Sequence, residues 1–156
     1  MKRSLFIALV LIIVFNLSAH AFETSLLDMR KKISTESTAI KPLLANSKDL
    51  LLVSSMWDTC IIAVSQLDAY FHMVGIFNAI KEDSSKPEAI AYLIRWLNEI
   101  KKNNVVNIKS LKGVTYPAGP DTKKHMDILI NYFSECNVII DAELKKLSGL
   151  RDWTKR

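Results

Sequence analysis

Apolar residues recur at steps of three and four along nearly the whole chain. No segment sustains the two-residue alternation of a strand, so the pattern predicts an all-α fold. The first helix is expected from Ser25, whose spacing to Asp28 resembles a capping box, to about Ile40, with Pro42 disfavouring any continuation. The second, from about Ser47 to Ile80, carries the strongest signal. Val53, Trp57, Cys60, Val64, Leu67, Phe71 and Val74 form one heptad-like seam, and Ile61, Ile62, Tyr70, Met73, Ile76 and Phe77 widen the apolar surface around it. A helix this apolar on several sides belongs at the centre of a bundle.

Ser85-Lys86-Pro87-Glu88 combines a capping box with an early-turn proline and opens the third helix, whose stripe is Ile90, Leu93, Ile94, Leu97 and Ile100 with Trp96 beside it. Beyond Lys101-Lys102-Asn103-Asn104 the pattern frays, and Val105, Val106, Ile108 and Leu111 support a weak helical extension of a turn or two. Gly113 to Pro120, with two glycines and two prolines, is the clearest loop. Pro120-Asp121 starts the fourth helix, with Leu129, Phe133, Cys136, Ile140, Leu144 and Leu147 inward and Gly149 as the expected C-terminal cap, before a short basic tail over 151–156. The expected architecture is a small up-down helical bundle of three long helices and a shorter N-terminal one.

The first residues change the setting. Lys2 and Arg3 precede an apolar run from Leu5 to Val14, and Ala19-His20-Ala21 follows as a small-x-small site, the order of a cleavable secretory signal over 1–21. The run is closed early by Asn16, Ser18 and His20, short of the roughly 20 apolar residues a membrane span needs. Removing 21 of 156 residues leaves a single 135-residue domain over 22–156 with 19 basic and 16 acidic side chains. That excess is too small and dispersed for nucleic acid, which calls for a clustered basic face. An exported location, in the periplasm or outside the cell, makes a Cys60–Cys136 disulfide the expectation, and its closure would make the second and fourth helices neighbours.

Candidate chemistry is sparse. Asp68 and His72, and Asp121 and His125, sit four residues apart, so each pair shares a helix face. In an up-down bundle the two histidines fall at opposite ends, so no metal site is expected. No serine elbow, zinc helix, haem attachment or phosphate-binding glycine loop occurs, so neither catalytic nor cofactor-binding residues are assigned. Two surfaces remain. The Tyr116-Pro117 loop beside Lys123-Lys124 is a candidate contact with a partner, and the doublets Lys31-Lys32, Lys101-Lys102 and Lys145-Lys146 suit solvated faces. Trp57, Phe71 and Trp96 are candidates to line an apolar pocket between helices.

The expected function is therefore a non-enzymatic binding or accessory protein of the cell envelope, acting on another envelope or secreted protein; an inhibitor or toxin-neutralising protein is one form. The alternative is a periplasmic carrier or sensor of a small apolar ligand. Membrane contact is expected only through the uncleaved signal during export.

Overall fold

The computed structural model describes residues 25–80 and 83–153. The expected signal segment over 1–21 lies outside them. All regular structure among the described residues is helical. α1 covers 25–40, a single turn α2 covers Leu43–Asn46, and α3, α4 and α5 cover Leu50–Ala79, Lys86–Lys112 and Pro120–Trp153, with a short 3₁₀ turn at Asp83–Ser85 before α4.

Cross-helix contacts give the directions. Lys32 meets Glu135 and Glu36 meets His125, so α1 and α5 are antiparallel. Lys101 meets Asp141 and Asn104 meets Asn137, so α4 and α5 are antiparallel too. Asp49, just before α3, accepts from the Gly119 N–H just before α5, while Tyr70 further along α3 donates to Glu143 further along α5. α3 and α5 therefore run parallel. α1 also meets α3 through Arg30 and Asp68, and α4 meets α3 where the Trp96 indole N–H donates to the Gln66 carbonyl. The result is an up-down bundle in which α4 packs extensively on α5 and on α3, whereas α3 and α5 touch at few points. These two face each other across the diagonal.

One continuous core fills the centre. α1 contributes Leu26, Met29, Ile33 and Ile40; α3 contributes Val53, Met56, Cys60, Ala63, Leu67 and Tyr70; α4 and α5 add Ile90, Leu93, Leu97, Ile100, Leu129, Phe133, Cys136 and Ile140. The seam of α3 is rotated from the expected one. Val53, Cys60 and Leu67 are common to both, but Met56, Ala63 and Tyr70 point inward in place of Trp57, Val64 and Phe71, which are half-buried on the flank. Both rows adjoin the shared one. The inner row offers the small Ala63 and a tyrosine whose hydroxyl reaches Glu143, while the Trp57 and Phe71 rings pack at the margin of the core. α3 is long and apolar enough to cross a membrane by length and composition, but its inward row is covered by the other helices.

The expected extension of α4 is regular helix, and α5 runs longer than the pattern predicts. α4 continues to Lys112 because Asn104, almost fully buried, donates to Asn137 at 3.0 Å, and Leu111 returns to the core. α5 passes straight through Gly149, because Leu147 and Leu150 pack on either side of it.

The expected disulfide is absent: Cys60 and Cys136 are both buried free thiols. The diagonal placement explains this. Facing Cα atoms of diagonal helices lie roughly 8 Å apart on ordinary packing distances, beyond the ~4.4–6.8 Å that a disulfide spans. The inference that the second and fourth helices are neighbours falls with the bond. Burial pushes the Cys60 thiol up to about 12, with nearby Glu36 adding to the shift. Burial likewise raises Cys136 to about 11, against a hydrogen bond from Asn104 that favours the thiolate. Both side chains behave as small apolar groups.

Two measurements check this fold. Gly75 lies exposed inside α3 with open space where a Cβ would stand, so Gly75→Ala should stabilise by about 0.5–1 kcal/mol in denaturant titration; a loss would mean that α3 is not continuous there. Thiol titration without reductant should find two reactive groups in denaturant and none in the folded chain near pH 8. A thiol held neutral on folding contributes stability below the unfolded range near pH 8.5 that is lost as pH rises towards 11–12. The native chain should therefore weaken more steeply than Cys60→Ala/Cys136→Ala between about pH 9 and pH 11.

Candidate functional site

The stripe that docks α1 into the bundle is interrupted by a carboxylate. Leu26, Met29, Ile33, Glu36 and Ile40 alternate steps of three and four, so Glu36 is carried inward with its apolar neighbours. It meets His125 Nδ1 at 2.5 Å, with the two side chains 9% and 15% exposed respectively. His125 is thus partnered across helices by a residue on α1 and not by Asp121, its neighbour one turn earlier. Glu36 was not singled out in the sequence. The signal was there: a charged residue in phase with an apolar stripe needs a buried partner. Cys60 lies close enough for Glu36 to influence its thiol. That thiol stays protonated at neutral pH, so the trio does not supply a thiolate nucleophile.

His72 is exposed on α3 in the opposite half of the bundle, near Asp68. The Asp68 carboxyl is held below its usual range chiefly by its hydrogen bond from Arg30, with burial opposing and the charges of Arg30 and His72 assisting. Among the described residues no three His, Cys, Asp or Glu side chains gather into a possible metal site.

The three aromatics do not line one cavity. Trp57 and Phe71 stand 14 positions apart on α3, about 21 Å along its axis, and Trp96 is committed to Gln66. The space lies elsewhere. An open cleft of about 360 Å³ is formed where the end of α3 meets the start of α4, lined by Met73, Ile76, Phe77, Ala89, Tyr92 and Leu93, with Ser85 and Glu88 as its polar members. Half-exposed Tyr92 and Ile76 continue its apolar lining onto the surface. Met73, Ile76 and Phe77 were legible only as apolar breadth on α3, because a cleft depends on which neighbouring helix stops short.

The Tyr116-Pro117 loop is where the sequence suggests, exposed at one end of the bundle. Its base is fixed, since the Gly119 N–H donates to Asp49 at 2.7 Å and Val114 and Ala118 pack on the core. Lys123 and Lys124 are exposed in the first turn and a half of α5, on the same end. The structure therefore places Tyr116, Pro117, Lys123 and Lys124 at the same end of the bundle.

No family model, no curated protein and no solved structure matches the chain.

The Glu36–His125 pair gives a direct test of how α1 is held. Leaving one partner of a buried pair alone is costly, whereas replacing both by apolar groups is close to neutral. Glu36→Leu and His125→Leu should each destabilise by about 2–4 kcal/mol, and the double variant should recover most of that in denaturant titration. Additive losses would show that the two side chains do not interact.

Proposed function

We propose that this chain is an exported, non-enzymatic binding or accessory protein of the cell envelope that acts by contact with another protein, in periplasmic or extracellular space. Export is inferred from the order of Lys2-Arg3, the Leu5–Val14 run and Ala19-His20-Ala21. The observation that carries the contact reading is the outer face of α3. Leu51, Ile62 and Ile76 are 87%, 55% and 65% exposed, on a 30-residue helix with two carboxylates and no lysine or arginine. These positions recur with helical period on one side, with Ser55, the exposed carboxylate Asp58, Ser65 and Ala69 between them. A bundle whose core is already filled gains nothing internally from such residues, and exposed apolar surface of this kind serves association.

The alternative, a carrier or sensor of a small apolar ligand, draws support from the cleft between α3 and α4. Its volume lies near the lower end of the usual range for ligand sites, but it is open along one side. Ile76 belongs to both surfaces, so the cleft also fits as an extension of the protein contact, receiving one side chain of the partner.

Photo-crosslinking residues at positions 62, 76 and 116 in the cell of origin separate these readings. A discrete protein adduct at 62 and 76, lost with Ile62→Lys at unchanged thermal stability, is expected. An adduct at 116 alone would move the contact to the loop. No protein adduct at any position, together with a small apolar molecule co-purifying and displaced by Tyr92→Ala, would replace the contact reading with the carrier.

A further inference from the structure

The up-down topology collects at one end the residues joining α1 to α3 and those joining α4 to α5. Asp49 and Gly119, bonded to each other, fix the two connections side by side. Residues 41–49 and 109–124 together contain six lysines, Lys41, Lys48, Lys109, Lys112, Lys123 and Lys124, against two carboxylates, Asp49 and Asp121, and no arginine. All six lysines are exposed, and none forms an ion pair with the described residues. Most lysines elsewhere on the bundle behave differently, exposed Lys145 excepted. Lys31, Lys32, Lys101, Lys102 and Lys146 each lie within 4 Å of a carboxylate. The whole chain has a formal charge of +5, and this end alone holds four more lysines than carboxylates.

We propose that this end of the bundle is a peripheral docking surface for an anionic lipid bilayer. Three features favour a bilayer over an acidic protein segment. The lysines come from separate backbone segments spread over the end of a four-helix bundle, a width of roughly 20 Å for two helix diameters, and do not converge on a pocket. They are all lysine, which acts as a point charge towards a diffuse anionic field, where a discrete carboxylate or phosphate is better gripped by the arginine fork. Tyr116, half-exposed beside exposed Pro117, offers an aromatic ring with a polar tip at the protruding loop, the kind of side chain that settles at headgroup depth. The proposal draws on the envelope location only for the presence of a lipid surface, and makes no use of the α3 contact face.

The test is co-sedimentation of the purified protein with phosphatidylcholine vesicles with and without phosphatidylglycerol, over a range of salt. Binding is expected only to the anionic vesicles and should fall as salt rises. Each lysine removed should weaken it roughly fivefold, the factor corresponding to ~1 kcal/mol, so Lys123→Gln/Lys124→Gln should lose about 25-fold by the same rule. Lys145→Gln/Lys146→Gln makes the same change in charge near the other end and should leave binding within about twofold by that rule. Circular dichroism verifies that both variants are folded, and the emission of Tyr116→Trp, less that of the native chain with its three tryptophans, should shift to the blue only with anionic vesicles. Equal binding to neutral vesicles, equal loss in both lysine pairs, or binding to polyglutamate without binding to anionic vesicles would overturn the proposal. Failure of the crosslinking at positions 62 and 76 would leave this result untouched, so the two readings fail separately.

Discussion

The bundle depends on α1 lying in the groove between α3 and α5. Its inward row, Leu26, Met29, Ile33 and Ile40, supplies the fourth wall of the core. Three contacts secure its flanks: Arg30 to Asp68 on one side, and Lys32 to Glu135 and Glu36 to His125 on the other. Inserting a helix there holds α3 and α5 across a diagonal. The two thiols are consequently unpaired and buried, and Tyr70 must reach across the core to meet Glu143. The exposed ion pairs add little, since such pairs contribute on the order of 0–1 kcal/mol. Apolar burial, about 1.5–3 kcal/mol for a fully covered large side chain, carries the docking, and the Glu36–His125 pair sets its register.

This explains which parts of the fold were legible in the sequence. Helix identity was, because an amphipathic period survives whatever the helix packs against; the breaks at Pro42 and over Gly113–Pro120 were too, because proline and glycine act locally. The inward row of α3 was not. Rows through Trp57 and Met56 are equally periodic, and only the neighbours decide which turns inward. The regularity of the end of α4 and the length of α5 were hidden for a related reason. Asn104 looks like a polar break until Asn137 stands opposite it, and Gly149 looks like a cap until Leu147 and Leu150 are seen packed. The disulfide failed because cysteine count and compartment say nothing of distance. The first helix, expected only as the shorter member of the bundle, is the element that keeps the cysteines apart.

Of the candidate residues, the exposure of the loop and its lysines was legible because it follows from local composition. The aromatic pocket was not, since Trp57 and Phe71 share a seam but stand far apart along it. Glu36 was visible in principle as a charge in an apolar phase. The cleft between α3 and α4 was not visible at all, because it arises from the way two helix ends are staggered.

Charge is partitioned over the surface in a way that gives the two proposed contacts different directions. α3 has no lysine or arginine, and its outer face runs along the bundle axis; the unpaired lysines sit across that axis at one end. With the basic end against lipid, α3 stands upright over some 45 Å, its 30 residues rising ~1.5 Å each. Its outer face, apolar apart from Asp58 and the serines, then points sideways, open to a partner. The cleft lies at the tip, where α3 ends and α4 begins, farthest from the lipid. That placement fits a side chain offered by a partner protein, since an acyl chain leaving the bilayer would have to traverse the length of the bundle to enter it. The same polarity keeps the lysines clear of the α3 contact, so salt should loosen the hold on lipid while sparing an apolar protein contact, whose strength follows the area removed from water.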